Sequence, residues 1–185
     1  CEAYKQYLDA GKTERECVDR TVAMAEAAGF RPFKRGMEAK PGDKYYYVNR
    51  DRAIMLAVIG KKSLAEGAAI GAAHIDSPRL DLKPNPLYES DELAFLKTHY
   101  YGGIRKYQWV ATPLALHGTV AKKDGTAVDI KIGDEAGDPV FYINDLLPHL
   151  GQKQAQEPLG SAISGETLNI LVGGLPYADP DEKEK

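Results

Sequence analysis

The chain of 185 residues carries 24 Lys and Arg against 27 Asp and Glu, a formal net charge of −3 that gives no reason to expect a nucleic-acid partner. A hydrophobic fraction of 43% and a charged fraction of 28% are those of an ordinary soluble protein, with chain enough for one good core or one domain and part of another. Two cysteines, Cys1 and Cys17, are too few for a disulfide framework and lack metal-ligand spacing. No apolar run reaches the length of a membrane span or forms a signal-peptide core, so the expected compartment is the cytoplasm. The first residue is Cys rather than Met, and a true start upstream is expected.

Glu2 to Ala10 reads as a short helix stopped by Gly11. Thr13-Glu14-Arg15-Glu16 is a capping-box pattern, and Cys17, Val18, Val22, Met24, Ala25 and Ala28 follow at roughly helical spacing, with Gly29 as the stop. Cys17 falls in this pattern as a small core residue. Tyr45 to Val48 is a β-prone run, Asn49 to Arg52 a polar turn, and Ala53 to Gly60 an almost wholly apolar strand. Its continuous pattern predicts that both faces are covered. The stretch Gly67 to Pro78, GAAIGAAHIDSP, predicts a second buried strand that ends by presenting His74 and Asp76. Two residues apart on an extended chain, they share a face, so a carboxylate can sit beside a metal-binding imidazole. Helices followed by two such strands predict an α/β layer with a central sheet, and functional side chains gather beyond the carboxyl ends of strands in such folds.

Leu80 to Pro86 alternates and then breaks at its prolines, Leu93 to Tyr101 reads as a strand, and Gly102-Gly103 as a hinge. LALHGTVAKK, Asp124-Gly125 and TAVDIKI predict a β-hairpin with a tight turn. Val140 to Ile143 is β-prone, and Asn144 to Gly151 reads as a short helix with Pro148 in its first turn or at a kink. A boundary is expected between Tyr101 and Thr112, and the charged end from Asp179 to Lys185 is expected to be mobile. Of the remaining histidines, His99 reads as a packed or surface residue, His117 as part of a hairpin strand, and His149 as an exposed imidazole open to proton or hydrogen-bond work. Ser77 stands in no nucleophile elbow, the glycines spell no phosphate-binding loop, and neither HExxH nor CxxC occurs. From the residues alone this is a soluble α/β domain with one candidate ligand.

Gly71-Ala-Ala-His74-Ile-Asp76-Ser77-Pro78, then Tyr101-Gly102-Gly103-Ile104, Trp109, Pro113-Leu-Ala-Leu-His-Gly118 and Leu147-Pro148-His149-Leu150 together resemble the aspartyl aminopeptidase and aminopeptidase I family of zinc metallopeptidases. Each motif alone is loose; their order and spacing carry the likeness over most of the chain. The resemblance implies a phosphorylase/hydrolase-like α/β metallopeptidase domain, here as its N-terminal part over 1–108. Part of a β-rich dimerisation insertion would follow over 109–178, and then the charged tail over 179–185. It implies removal of single N-terminal residues from peptides, two divalent metal ions, zinc, at each site, and dimers assembling to a dodecamer. His74 then corresponds to the first metal ligand, Asp76 to the carboxylate that positions it, and His149 to a substrate-binding residue that reaches a neighbouring subunit's site. The other ligands and the general base would lie in a C-terminal remainder of the catalytic domain. An alternative is a non-catalytic fragment or assembly module lacking those ligands. The Asp-Arg pair that follows the tryptophan in eukaryotic members is replaced here by Trp109-Val-Ala-Thr-Pro113, so a preference for acidic residues is not implied.

Overall fold

Two runs of helical periodicity open the chain, and both form helices in the computed structural model, which describes residues 1–175. The expected mobile tail, 179–185, lies outside the described residues. α1 spans Glu2–Ala10 and α2 spans Glu14–Ala27. The capping box is present in full: Glu16 N–H donates to Thr13 Oγ1 at 3.3 Å and Thr13 N–H donates to Glu16 Oε2 at 2.9 Å, satisfying two otherwise orphaned donors. The chain divides into two compact units, Cys1–Ser77 and Pro78–Lys185.

In the first unit, β1 (Arg31–Pro32), β2 (Lys44–Asn49) and β3 (Ala53–Val58) form a sheet in that order, with β3 at the edge. The β2–β3 turn places Arg50 and Asp51 at φ +53° and +56°, the left-handed pair that matches the twist of a tight hairpin. Tyr46 lies opposite Leu56 and donates its hydroxyl to Glu26 Oε1 at 2.7 Å, so α2 covers that face. Cys17, Val18, Ala25, Tyr45 and Tyr46 are the buried apolar residues here. Cys17 is thus the small core residue its periodicity predicts, and burial raises its thiol pKa.

Two expectations for this unit are corrected. β3 forms, but its faces are not both covered: Met55, Leu56 and Val58 are 68%, 47% and 61% exposed. Gly67 to Pro78 is not a buried strand either. It runs as extended chain without ladder partners, and Ile70 is 88% exposed. In both places the residue pattern asks for a covering layer that the described residues do not supply. Across the chain, the strands among the described residues form separate sheets of three, three and two rather than the one central sheet expected.

The second unit is built on β4 (Arg79–Ser90), β5 (Leu93–Tyr101) and β8 (Ile170–Gly173), paired antiparallel in that order. β4 does not end at Pro84 and Pro86. It passes them through an irregularity in register between Leu82 and Leu87, because an edge strand tolerates a missing N–H where the ladder is already broken. β6 (Leu116–Ala121) and β7 (Ala127–Ile132) are the expected hairpin around Asp124-Gly125. Val140 to Ile143 contributes isolated bridges, Leu114 to Phe141 and Tyr142 to Leu171 among them. Ile143, Ile163, Leu168 and Ile170 form the core, with Leu80, Leu96, Trp109 and Phe141 packed against it. Thr98 is buried among them and donates its hydroxyl to the Leu168 carbonyl. Gly165 is required where it stands: a Cβ there would come within 2.5 Å of the Tyr100 ring.

Candidate metal-ligating arm

His74 and Asp76 lie at the end of the extended run, and the chain brings them together. His74 Nδ1 is 2.9 Å from the Asp76 carbonyl oxygen and 3.2 Å from its carboxylate Oδ1. A proton on Nδ1 directed at those oxygens leaves Nε2 with the lone pair. The His74 side chain is 81% exposed, and that of Asp76 37%. An imidazole whose tautomer and orientation are set by a carboxylate is what a zinc ligand needs. The pair fits zinc as one arm of a centre. It does not fit a closed coordination sphere, since no group of three or more His, Cys, Asp and Glu side chains comes together among the described residues.

Sequence reasoning missed the residues that follow this arm. Arg79 donates from Nε to Asp81 Oδ1 at 2.8 Å, and its guanidinium lies 4.4 Å from the centre of the Tyr101 ring. Gly102 takes φ +74°, a backbone conformation that favours glycine, and a Cβ there would meet the Pro78 ring at 3.4 Å, an ordinary van der Waals contact. Of the two glycines, Gly102 alone lies beside Pro78; a Cβ on Gly103 would meet nothing within 4 Å. An Arg two residues after a polar turn and an aromatic before Gly-Gly were the available signals, too common to act on singly.

His149 belongs to the second unit. It is exposed on a turn at 148–150, and the expected helix over Asn144 to Gly151 does not form. Instead Leu150 N–H and Gly151 N–H both donate to the Leu147 carbonyl, at 2.9 and 2.8 Å, and Asp145 Oδ1 accepts from Leu146 N–H at 2.8 Å. The segment is too short to repay helix nucleation, and Pro148 removes one of its few donors. Leu146, Leu147 and Leu150 around it are 55–65% exposed. His99 is a surface residue stacked on Tyr100, ring centres 5.3 Å apart. His117 stands in β6 with Nε2 2.9 Å from Asp134 Oδ2, in keeping with a hairpin role.

Residues 7–185 match the family described as aminopeptidase I zinc metalloprotease (M18). A Clostridium acetobutylicum protein named probable M18 family aminopeptidase 1 is 49% identical over 186 residues, which cover 98% of this chain and 40% of that protein. The crystal structure of the Thermotoga maritima M18 aminopeptidase superposes with a TM-score of 0.88 at 40% identity, over 98% of this chain and 40% of that one. The structure of a yeast mApe1 dodecamer shares the fold at 18% identity and a TM-score of 0.68, over 92% of this chain and 37% of that one. The chain thus spans about two-fifths of the length of the relatives it matches, and it belongs to the M18 aminopeptidase I family of zinc metalloproteases.

Proposed function

We propose that this chain is the N-terminal part of a cytoplasmic zinc aminopeptidase that removes single N-terminal residues from peptides. The observation that carries the reading is the His74–Asp76 pair, with Nδ1 held within 2.9 Å of the Asp76 carbonyl in a chain of this family. His74 would hold metal through Nε2, and Asp76 would fix the imidazole and raise its basicity without touching substrate. Two zinc ions, when bound, would supply an acidified water and polarise the scissile carbonyl. His149, exposed on its turn, would donate a hydrogen bond to substrate at a neighbouring subunit's site as charge develops on the carbonyl oxygen. The exposed leucines around it are in keeping with a position at a subunit interface.

By role, residues 1–108 belong to a phosphorylase/hydrolase-like catalytic domain and 109–178 to the dimerisation insertion. This division is distinct from the packing division at Ser77. Assembly to a dodecamer, the form of the yeast relative, would make activity depend on the oligomer. The second reading, a non-catalytic assembly module, is favoured by one observation: a single candidate ligand arm among the described residues. One comparison separates the two. These 185 residues alone are expected to hydrolyse no aminoacyl-anilide with zinc, cobalt or manganese. Joined to the rest of a family-length polypeptide they are expected to do so, with His74→Ala lowering bound zinc and His149→Ala lowering turnover while zinc stays bound. A family-length protein that binds zinc in the assembled state and still hydrolyses nothing would favour the assembly module.

A further inference from the structure

The second unit holds a cavity that the candidate metal arm does not use. Its volume is about 230 Å³, and Ile104, Arg105, Lys106, Tyr107, Leu159 and Gly160 line it. Ile104 and Tyr107 pack against the buried core, so that wall is fixed. Leu159 and Gly160 belong to a turn in which Ser161 N–H and Ala162 N–H both donate to the Pro158 carbonyl, at 2.8 and 3.0 Å. Arg105 and Lys106 bring two positive charges, and no acidic side chain is among the described residues that line the cavity. The nearby carboxylate of Glu166 is already engaged, accepting from Lys83 Nζ at 2.9 Å. Its neighbour Gly165 is the residue whose Cβ would meet Lys106 Cε at 3.4 Å. Lys106 Nζ stands 5.1 Å from the centre of the Tyr100 ring, and Arg105 Nη1 donates to the Tyr107 hydroxyl at 3.5 Å. Neither contact neutralises its cation, and both groups keep further donors to offer. Two cations beside the apolar Ile104 and Leu159 complement an anion that carries an apolar body.

We infer that this cavity binds a carboxylate attached to an apolar side chain, the chemistry shared by the C-terminal residue of a peptide and a free apolar amino acid. Arg105 and Lys106 take the carboxylate, while Ile104 and Leu159 cover the side chain. Inorganic phosphate would meet the cations and gain nothing from the apolar wall. At about 230 Å³ the cavity is smaller than the roughly 300–1,000 Å³ of drug-sized sites, which suits a ligand of one residue. The inference goes beyond the aminopeptidase reading and requires neither metal nor hydrolysis.

The test titrates this chain with N-acetyl-leucine, leucine, leucinamide and inorganic phosphate, following the amide NMR signals of Arg105, Lys106, Tyr107 and Gly160. N-acetyl-leucine is expected to shift those signals with a Kd on the order of 1 mM. Leucinamide, which lacks the carboxylate, is expected to bind at least about tenfold more weakly. Arg105→Gln should weaken binding about threefold to fivefold, and so should Lys106→Met, which keeps the side-chain stem over Tyr100. Leu159→Asp, at a side chain 59% exposed on its turn, should abolish saturable shifts and decides the matter should either cation variant misfold. Tighter binding of N-acetyl-leucine than of leucine assigns the site to peptide C termini, and the reverse order to free amino acids; either supports the shared chemistry. Leucinamide or phosphate binding as tightly as N-acetyl-leucine would overturn the proposal, as would shifts confined to other residues. Equilibrium dialysis of N-acetyl-leucine with the family-length protein completes the test: binding lost in the paired Arg105→Gln and Lys106→Met variant supports the site, and binding the variant leaves unchanged overturns it. Binding by a family-length protein that hydrolyses no aminoacyl-anilide in zinc would support the site and count against the catalytic reading alone.

Discussion

The two units spend their apolar residues differently. In the second, Ile143 and Leu168 are 2% and 0% exposed, and residues well separated in sequence, from Leu80 to Ile170, are drawn to one core. In the first, the most continuously apolar segments of the chain, β3 and the run before His74, are among the more exposed. Hydrophobic sequence is therefore no guide to local burial here. A strand buries its side chains only if another layer meets it, and in the first unit α2 meets Tyr46 of β2 but leaves Met55, Val58 and Ile70 bare. The contrast falls on function as well, because the His74–Asp76 pair stands at the end of the uncovered run.

Substitutions in each unit put this contrast to the test. Leu168→Ala should have the largest effect, lowering the stability of the second unit by about 2–5 kcal/mol, since it empties a fully buried site and disturbs the carbonyl that Thr98 meets. Denaturant unfolding followed through Trp109, which packs against that core, reads it directly. Thr13→Ala should cost the first unit about 1 kcal/mol by removing the cap of α2, seen as reduced helicity and a lower unfolding midpoint.

Acid should separate the units by a smaller amount. In the first, the Lys40 N–H and then the Tyr45 hydroxyl hold the Asp43 carboxyl below its ordinary value of 3.8. A depressed folded pKa stabilises above the unfolded value, and that contribution is lost as pH falls through the folded one. Asp43→Asn should therefore flatten the first unit's loss of stability below about pH 4, measured as unfolding midpoint against pH. Asp138, held down chiefly by the Gly133 N–H, is the matching group in the second unit and should respond independently. Met55→Lys should have the smallest effect, within about 0.5 kcal/mol, because the side chain is already largely in water. A cost near that of Leu168→Ala would mean that β3 is covered in solution and would remove the contrast.

Much of this molecule was legible in single residues. Thr13 and Glu16 announced α2, Asp124-Gly125 announced the hairpin, and the β-prone stretch from Leu93 to Tyr101 marked β5 to the residue. These are local signals, in which the chain within a few positions satisfies its own hydrogen bonds. The proximity of His74 and Asp76 was legible for the same reason, two residues apart on extended chain. The order of motifs along the chain was enough to indicate the family. β8 was not legible, because Ile170–Gly173 has no turn or alternation of its own and becomes a strand only by pairing with β5. Nor could sequence show that 144–151 forms no helix and turns only at 148–150, or that Gly102 lies beside Pro78. Which apolar strands are covered was settled by tertiary structure alone, because burial is a property of two surfaces and a sequence pattern describes one.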